Sequence, residues 1–271
     1  MIRALFFDLD GTLLDSSKRI PDSAKTAICR CREMGVRVYF ATARSPRLDQ
    51  TLDWTEEEFA LFDGCIYSNG ACVKLGDAVQ YCFIEPKAAR ACVKEAAAFE
   101  DVHLSLHMPQ EGYAFNFPVD ESMNKGWGLA QARICSLDEG AMDCALKILL
   151  FYDRLTDSKK ALPDDLVRVI QRCCQGLAKV YVTDEGRTIQ ISGREAGKLE
   201  TIEKIRKDAG WETDEVAVFG DDINDLEMIA FYPHSVAMGN AVEQVKQAAG
   251  VVARSNDDNG IAYAIEKLLN L

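Results

Sequence analysis

Four short apolar runs in this chain each stop abruptly at a polar residue: IRALFF before Asp8, VRVYFA before Thr42, CIYS before Asn69 and EVAVFG before Asp221. Short runs of this kind, apolar on both faces, are how the buried strands of a parallel sheet read. Between them lie helical patterns, the clearest over residues 23–34, closed by Gly35, and 199–209, closed by Gly210. The alternation predicts an α/β fold with a Rossmann-like parallel sheet. In such sheets ligands bind outside the carboxyl ends of the strands, so the polar residues that end these runs converge despite their distance in sequence.

The middle of the chain breaks the alternation. From about Cys82 to Arg187, strand-like segments such as VHLSLHM and GYAFNF adjoin one another, followed by helical stretches and by CALKILLFY and LAKVYVT. That pattern predicts an inserted α+β cap over residues 81–187 and a core made of 1–80 and 188–271, which 271 residues can supply.

Charge narrows the partners. The chain has 31 basic and 43 acidic residues, a formal net charge of -12, and no basic run, which excludes nucleic acid or an anionic membrane as the main partner. A small anion is accommodated only where a metal ion or local cations reverse the field. Asp8 and Asp10 cut the first apolar run short of a signal-peptide core, and Lys147 interrupts the longest later one, over 144–152, so a soluble, cytoplasmic protein is expected. The 10 cysteines lie mostly singly in apolar segments and read as reduced thiols; with 3 histidines and no zinc-type spacing, a structural zinc is not expected. Oligomeric state is not readable.

Chemistry concentrates at two strand ends. Asp8-Leu9-Asp10-Gly11-Thr12 follows the first run, and Gly220-Asp221-Asp222-Ile223-Asn224-Asp225 follows the fourth. Together they bring Asp8, Asp221 and Asp225 close, and such like charges repel unless a cation sits among them. Magnesium fits best, since it takes few carboxylates and keeps waters and a phosphate oxygen. Thr42 ends another strand, where its hydroxyl and the N–H groups that follow can meet an anionic oxygen, and Arg44 adds charge beside it. Lys198 opens a helix, and an ammonium there can neutralise a phosphate and hold an attacking carboxylate. Carboxylates, a divalent metal, a hydroxyl and an ammonium suit phosphoryl transfer, which demands positioning and charge neutralisation.

This set resembles the haloacid dehalogenase superfamily. DLDGT matches its first motif, Thr42 its second, Lys198 its third and GDDIND its fourth, with Lys204 as the alternative for the third. The cap between the second and third motifs, Ser68-Asn69-Gly70, and the ending SNDDNGIAYAIEKLL make it similar to the Cof-type phosphatases. The resemblance implies a magnesium-dependent phosphatase of small phosphorylated metabolites, sugar phosphates first, with a phosphomutase or a non-catalytic metabolite binder as alternatives. It implies that Asp8 is the nucleophile and Asp10 the acid and base, the latter protonated when substrate arrives. The metal would be held by Asp8, the carbonyl of Asp10 and Asp221, with Asp225 positioning a water and Asn224 on metal or substrate. Thr42 and Lys198 would hold the phosphoryl group, and Ala43, Arg44 and Asn69 complete the substrate-binding set.

Other polar residues read as structural. Asp222 enters a helix, Asp15 is structural, and Trp54, Trp127 and Trp211 belong to cores or domain boundaries. His103, Ser105 and His107 alternate with Val102, Leu104, Leu106 and Met108, which predicts a strand whose polar face meets either solvent or the cleft beneath the cap.

Overall fold

The computed structural model describes residues 1–119, 123, 127–130, 132–152 and 160–269. The four apolar runs become β1 (Ala4–Phe7), β2 (Arg37–Ala41), β3 (Gly64–Tyr67) and β12 (Val216–Gly220), parallel neighbours in the order β12-β1-β2-β3. Each is apolar on both faces and therefore needs cover on both. Leu5, Phe7, Val38 and Phe40 pack with Ile28 and Ile265 of the helices Asp22–Glu33 and Gly260–Leu269. Phe6, Tyr39 and Val218 pack the opposite way, with Ile202, Ile205 and Met228 of the helices Lys198–Asp208 and Leu226–Phe231. Parallel β13 (His234–Ala237) and β14 (Val251–Val252) extend one edge of the sheet, and antiparallel β4 (Cys72–Leu75) and β5 (Ala78–Tyr81) the other.

A second sheet is built from β6 (Val102–Met108), β7 (Gly112–Phe115), β8 (Arg133–Cys135), β9 (Lys147–Tyr152), β10 (Ala178–Thr183) and β11 (Thr188–Gly193), in the order β10-β11-β9-β6-β7-β8. Its alternation is one-faced. Leu104, Leu106, Ile148, Leu150, Ile189 and Ile191 face the helices Pro86–Ala96 and Asp164–Cys174, while His107, Lys147 and Gln190 turn toward the carboxyl ends of the core strands. The polar face of β6 therefore meets the cleft rather than solvent, and Trp127 lies in the same cleft.

Thr188–Gly193, assigned to the core by the sequence reading, pairs with β9 and β10 and is a cap strand. Followed closely by a helix it imitates a βα unit, yet Ile189 and Ile191 alternate with Thr188 and Gln190, which is the pattern of a strand covered on one side. The chain leaves and re-enters the core side by side: a Cβ on Gly193 would stand 2.5 Å from the Phe83 carbonyl oxygen. All ten cysteines are free, though Cys92 and Cys174, from the two cap helices, face each other with sulfurs 3.4 Å apart rather than lying singly. Among the described residues no helix is long and apolar enough to cross a membrane.

Candidate active site

Asp8 is placed by the sheet itself, its N–H bonded to the Phe219 carbonyl at 2.9 Å. Beyond it the chain turns at Gly11, whose φ of +82° is unfavourable for any side chain and whose Cβ would lie 2.3 Å from Asp221 Oδ2. The turn brings the Thr12 hydroxyl 2.6 Å from Asp221 Oδ1, tying the first strand end to the fourth. In the fourth loop Asp225 Oδ2 accepts from the Asp221 and Asp222 N–H groups at 3.0 and 3.2 Å. Its other oxygen, Oδ1, accepts from Lys198 Nζ at 2.5 Å. Asp222 thus serves the helix entry, as its position suggests.

Lys198 is 1% exposed, and its ammonium also donates to Asp8 Oδ1 at 2.5 Å. Lys204, the alternative, lies outside the site and bonds Gln80 Oε1 at 2.6 Å. Asp8, Asp221 and Asp225 each present an oxygen within 4.8 Å of the others. Burial pushes the Asp8 carboxyl well above the usual range; Lys198 opposes this, and Asp225 and Asp221 add to it. Burial first, then Asp225, carries Asp221 up to about 7. Lys198, for which burial works the other way, is held above its usual value by Asp225 and Asp8. Three carboxylates therefore face one ammonium. The donor set is all oxygen and short of positive charge, which fits a hard divalent cation.

Asp10 is not part of that cluster. Its carboxylate turns to Arg44, which grips it through Nε at 2.5 Å and Nη2 at 2.7 Å, and to Lys18 Nζ at 2.8 Å. Burial alone would raise Asp10, but these hydrogen bonds and charges outweigh it and leave the group at about 2. In this arrangement, without substrate, Arg44 and Lys18 favour the ionised form of Asp10, whereas the protonated acid that the resemblance implies belongs to the state in which substrate has arrived. Thr42 is 1% exposed and its hydroxyl accepts from the Arg44 N–H at 3.1 Å.

Asn69, in the loop after β3, receives the Asn224 amide on Oδ1 at 3.0 Å and donates to Gln190 Oε1 of the cap at 3.1 Å. Gln190 continues to the Thr183 hydroxyl at 2.9 Å. Ala43 offers its carbonyl to Lys147 Nζ at 2.6 Å, a second link from core to cap. Sequence reasoning missed Lys18, Lys147, Thr183 and Gln190. Of these only Lys147 carried a signal, a lone cation inside an apolar run. Cap and core enclose a cavity of about 750 Å³, lined by Asp8, Asp10, Thr42, Arg44, Asn224 and the polar face of the second sheet.

The family model for haloacid dehalogenase-like hydrolases matches residues 5–265. The chain is 29% identical over 271 residues to the Bacillus subtilis protein named "Putative phosphatase YkrA", covering 98% of this chain and 97% of that one. Among solved structures it is similar to a haloacid dehalogenase-like hydrolase from Bacteroides thetaiotaomicron, with a TM-score of 0.76, 24% identity and coverage of 99% and 100%. It is also similar to TM0651 from Thermotoga maritima, with a TM-score of 0.74, 25% identity and coverage of 98% and 97%.

Proposed function

The chain belongs to the haloacid dehalogenase-like hydrolases and is a phosphatase of their Cof type, and from that premise we propose that it hydrolyses small phosphate esters, sugar phosphates first, through an aspartyl-phosphate on Asp8 with magnesium held by Asp8, Asp221 and Asp225. The observation that carries the reading is the imbalance around Lys198: three carboxylates, two of them buried and Asp221 half-buried, against one ammonium, at the strand ends beneath a cavity of small-molecule size. When bound, magnesium supplies the positive charge that the phosphoryl oxygens and the three carboxylates require.

In this reading an Asp8 carboxylate oxygen attacks phosphorus and the bond to the leaving oxygen breaks. Lys198 opposes the burial and the neighbouring carboxylates that raise Asp8, and the charge of a bound cation would add to its effect in favouring the ionised nucleophile. Thr42 and the N–H groups after it, with Arg44, meet the oxygens of the transferring group. An incoming phosphoryl dianion competes for Arg44 and Lys18, and their departure lets Asp10 take up a proton from solvent, which it passes to the leaving oxygen. Asp10 then accepts a proton from the water that attacks the aspartyl-phosphate, which releases phosphate and restores Asp8. The cap excludes bulk water and contacts the leaving group.

Asp8→Asn tests the reading, since it removes the nucleophile's charge with little change of shape. With magnesium present, phosphate release from an aryl phosphate and from sugar phosphates should fall to background while the fold, followed by circular dichroism, is kept. Substantial turnover by this variant would refute the covalent route.

A further inference from the structure

Lys147 opens β9 and is 3% exposed, and among the described residues its ammonium makes one hydrogen bond, to the Ala43 carbonyl. An ammonium has three donors, and among the described residues no carboxylate is paired with this one. Asp184 is near enough to favour its charge, but that carboxylate accepts the Thr188 hydroxyl at 2.8 Å. Opposite Lys147 in register stands His107 of β6, 8% exposed, with neither ring nitrogen hydrogen-bonded among the described residues. Both side chains line the cavity that holds Asp8, Thr42 and Arg44.

The two groups are chemically complementary. Burial drives His107 down to about 3, so its ring is neutral, with one nitrogen a donor and the other an acceptor. Burial, then the charge of Lys198, lowers Lys147 to about 7, so an anion beside it would restore a charge that the protein itself leaves poorly supported. In the proposed reading the transferring phosphoryl group does not call for this cation, because Lys198, Thr42 and Arg44 are assigned to that group from the core.

We infer that Lys147 and His107 form a leaving-group subsite in the cap that takes a second anionic group, a carboxylate or a second phosphate, on the alcohol half of the substrate. The inference rests on the phosphatase reading and narrows it to phosphate esters of acidic or doubly phosphorylated small alcohols. Lys147 provides charge-assisted donors and His107 a neutral donor to the same group or an acceptor for a hydroxyl beside it.

Steady-state kinetics with magnesium on two substrate pairs test it: 3-phosphoglycerate against glycerol 3-phosphate, and fructose 1,6-bisphosphate against fructose 6-phosphate. The wild type should prefer the charged member of at least one pair by about tenfold or more in kcat/KM, and which pair shows it separates carboxylate from phosphate. Lys147→Met should erase most of that preference, chiefly through KM, and Lys147→Arg should retain part of it. Equal preference for both members of each pair in the wild type would overturn the subsite. So would a Lys147→Met variant that lowers both members by the same factor, since Lys147 would then only latch cap to core. If the methionine variant does not fold, the wild-type ratios and Lys147→Gln carry the same test. Absence of aryl phosphate hydrolysis by the wild type would sink the phosphatase reading itself, a separable result.

Discussion

Replacing Lys198 with methionine keeps a long buried side chain and removes the one ammonium that Asp8 and Asp225 share at 2.5 Å each. Without it, and without metal, the least unfavourable relief is for one carboxylate to take up a proton. From an ordinary carboxyl pKa of 3.8, holding that proton at about pH 7.5 costs about 1.36 × 3.7, or about 5 kcal/mol, and at about pH 5.5 about 2 kcal/mol. The larger figure matches the roughly 3–5 kcal/mol expected on breaking a buried ion pair. With an unfolding entropy of about 2.1 cal/mol/K per residue, 271 residues give about 0.6 kcal/mol/K. The melting temperature should thus fall by about 9 °C at about pH 7.5 and by about 4 °C at about pH 5.5. The sign follows from the proton: the folded variant retains one that the unfolded chain releases, so the loss grows as pH rises. Thermal melts of the metal-free proteins, followed by circular dichroism, measure both differences, and turnover should fall by about 10² or more at either pH. A variant as stable as the wild type at about pH 7.5, or a loss independent of pH, would refute the charge account of Lys198.

The wild type without metal carries the same linkage in milder form: Asp221, raised from 3.8 to about 7, favours the folded state fully only below about pH 4 and loses that contribution as pH climbs toward 7. Melts across that range should show the decline, and magnesium should reverse it in the wild type but much less in Asp221→Ala. Chelation should abolish phosphate release, with magnesium restoring it and calcium restoring it poorly; full activity in excess chelator would remove the metal from the scheme. Gly11→Ala should displace Asp221 through a Cβ built 2.3 Å from its Oδ2, and strain a φ of +82°; kcat should fall by about tenfold or more while circular dichroism stays native.

What the sequence made legible was the core, because there a residue's place follows from local chemistry. An apolar run that ends at Asp8, Thr42, Asn69 or Asp221 announces both the strand and the end where ligands gather. Lys198 is separable from Lys204 only in three dimensions, since both sit on one helix and their difference is which face is buried between Asp8 and Asp225. The ionised state of Asp10 was not legible, because Lys18 and Arg44 meet it from two different loops. The cap hid more. Gln190, Lys147 and His107 lie on three strands of a sheet whose pairing order does not follow the chain, so no spacing in sequence places them on one face.

The side-by-side passage of the chain at Phe83 and Gly193 gathers the two covalent attachments of the cap into one place. With both crossings in one place, a rotation of the second sheet about them would have to break the Lys147–Ala43 and Asn69–Gln190 hydrogen bonds but would displace neither crossing far. The same adjacency makes the cap a removable cassette. A graft of a different cap between about residues 83 and 193 meets two chain ends already in contact, so the strand-end chemistry of the core can be joined to a new leaving-group specificity without redesign of the parallel sheet.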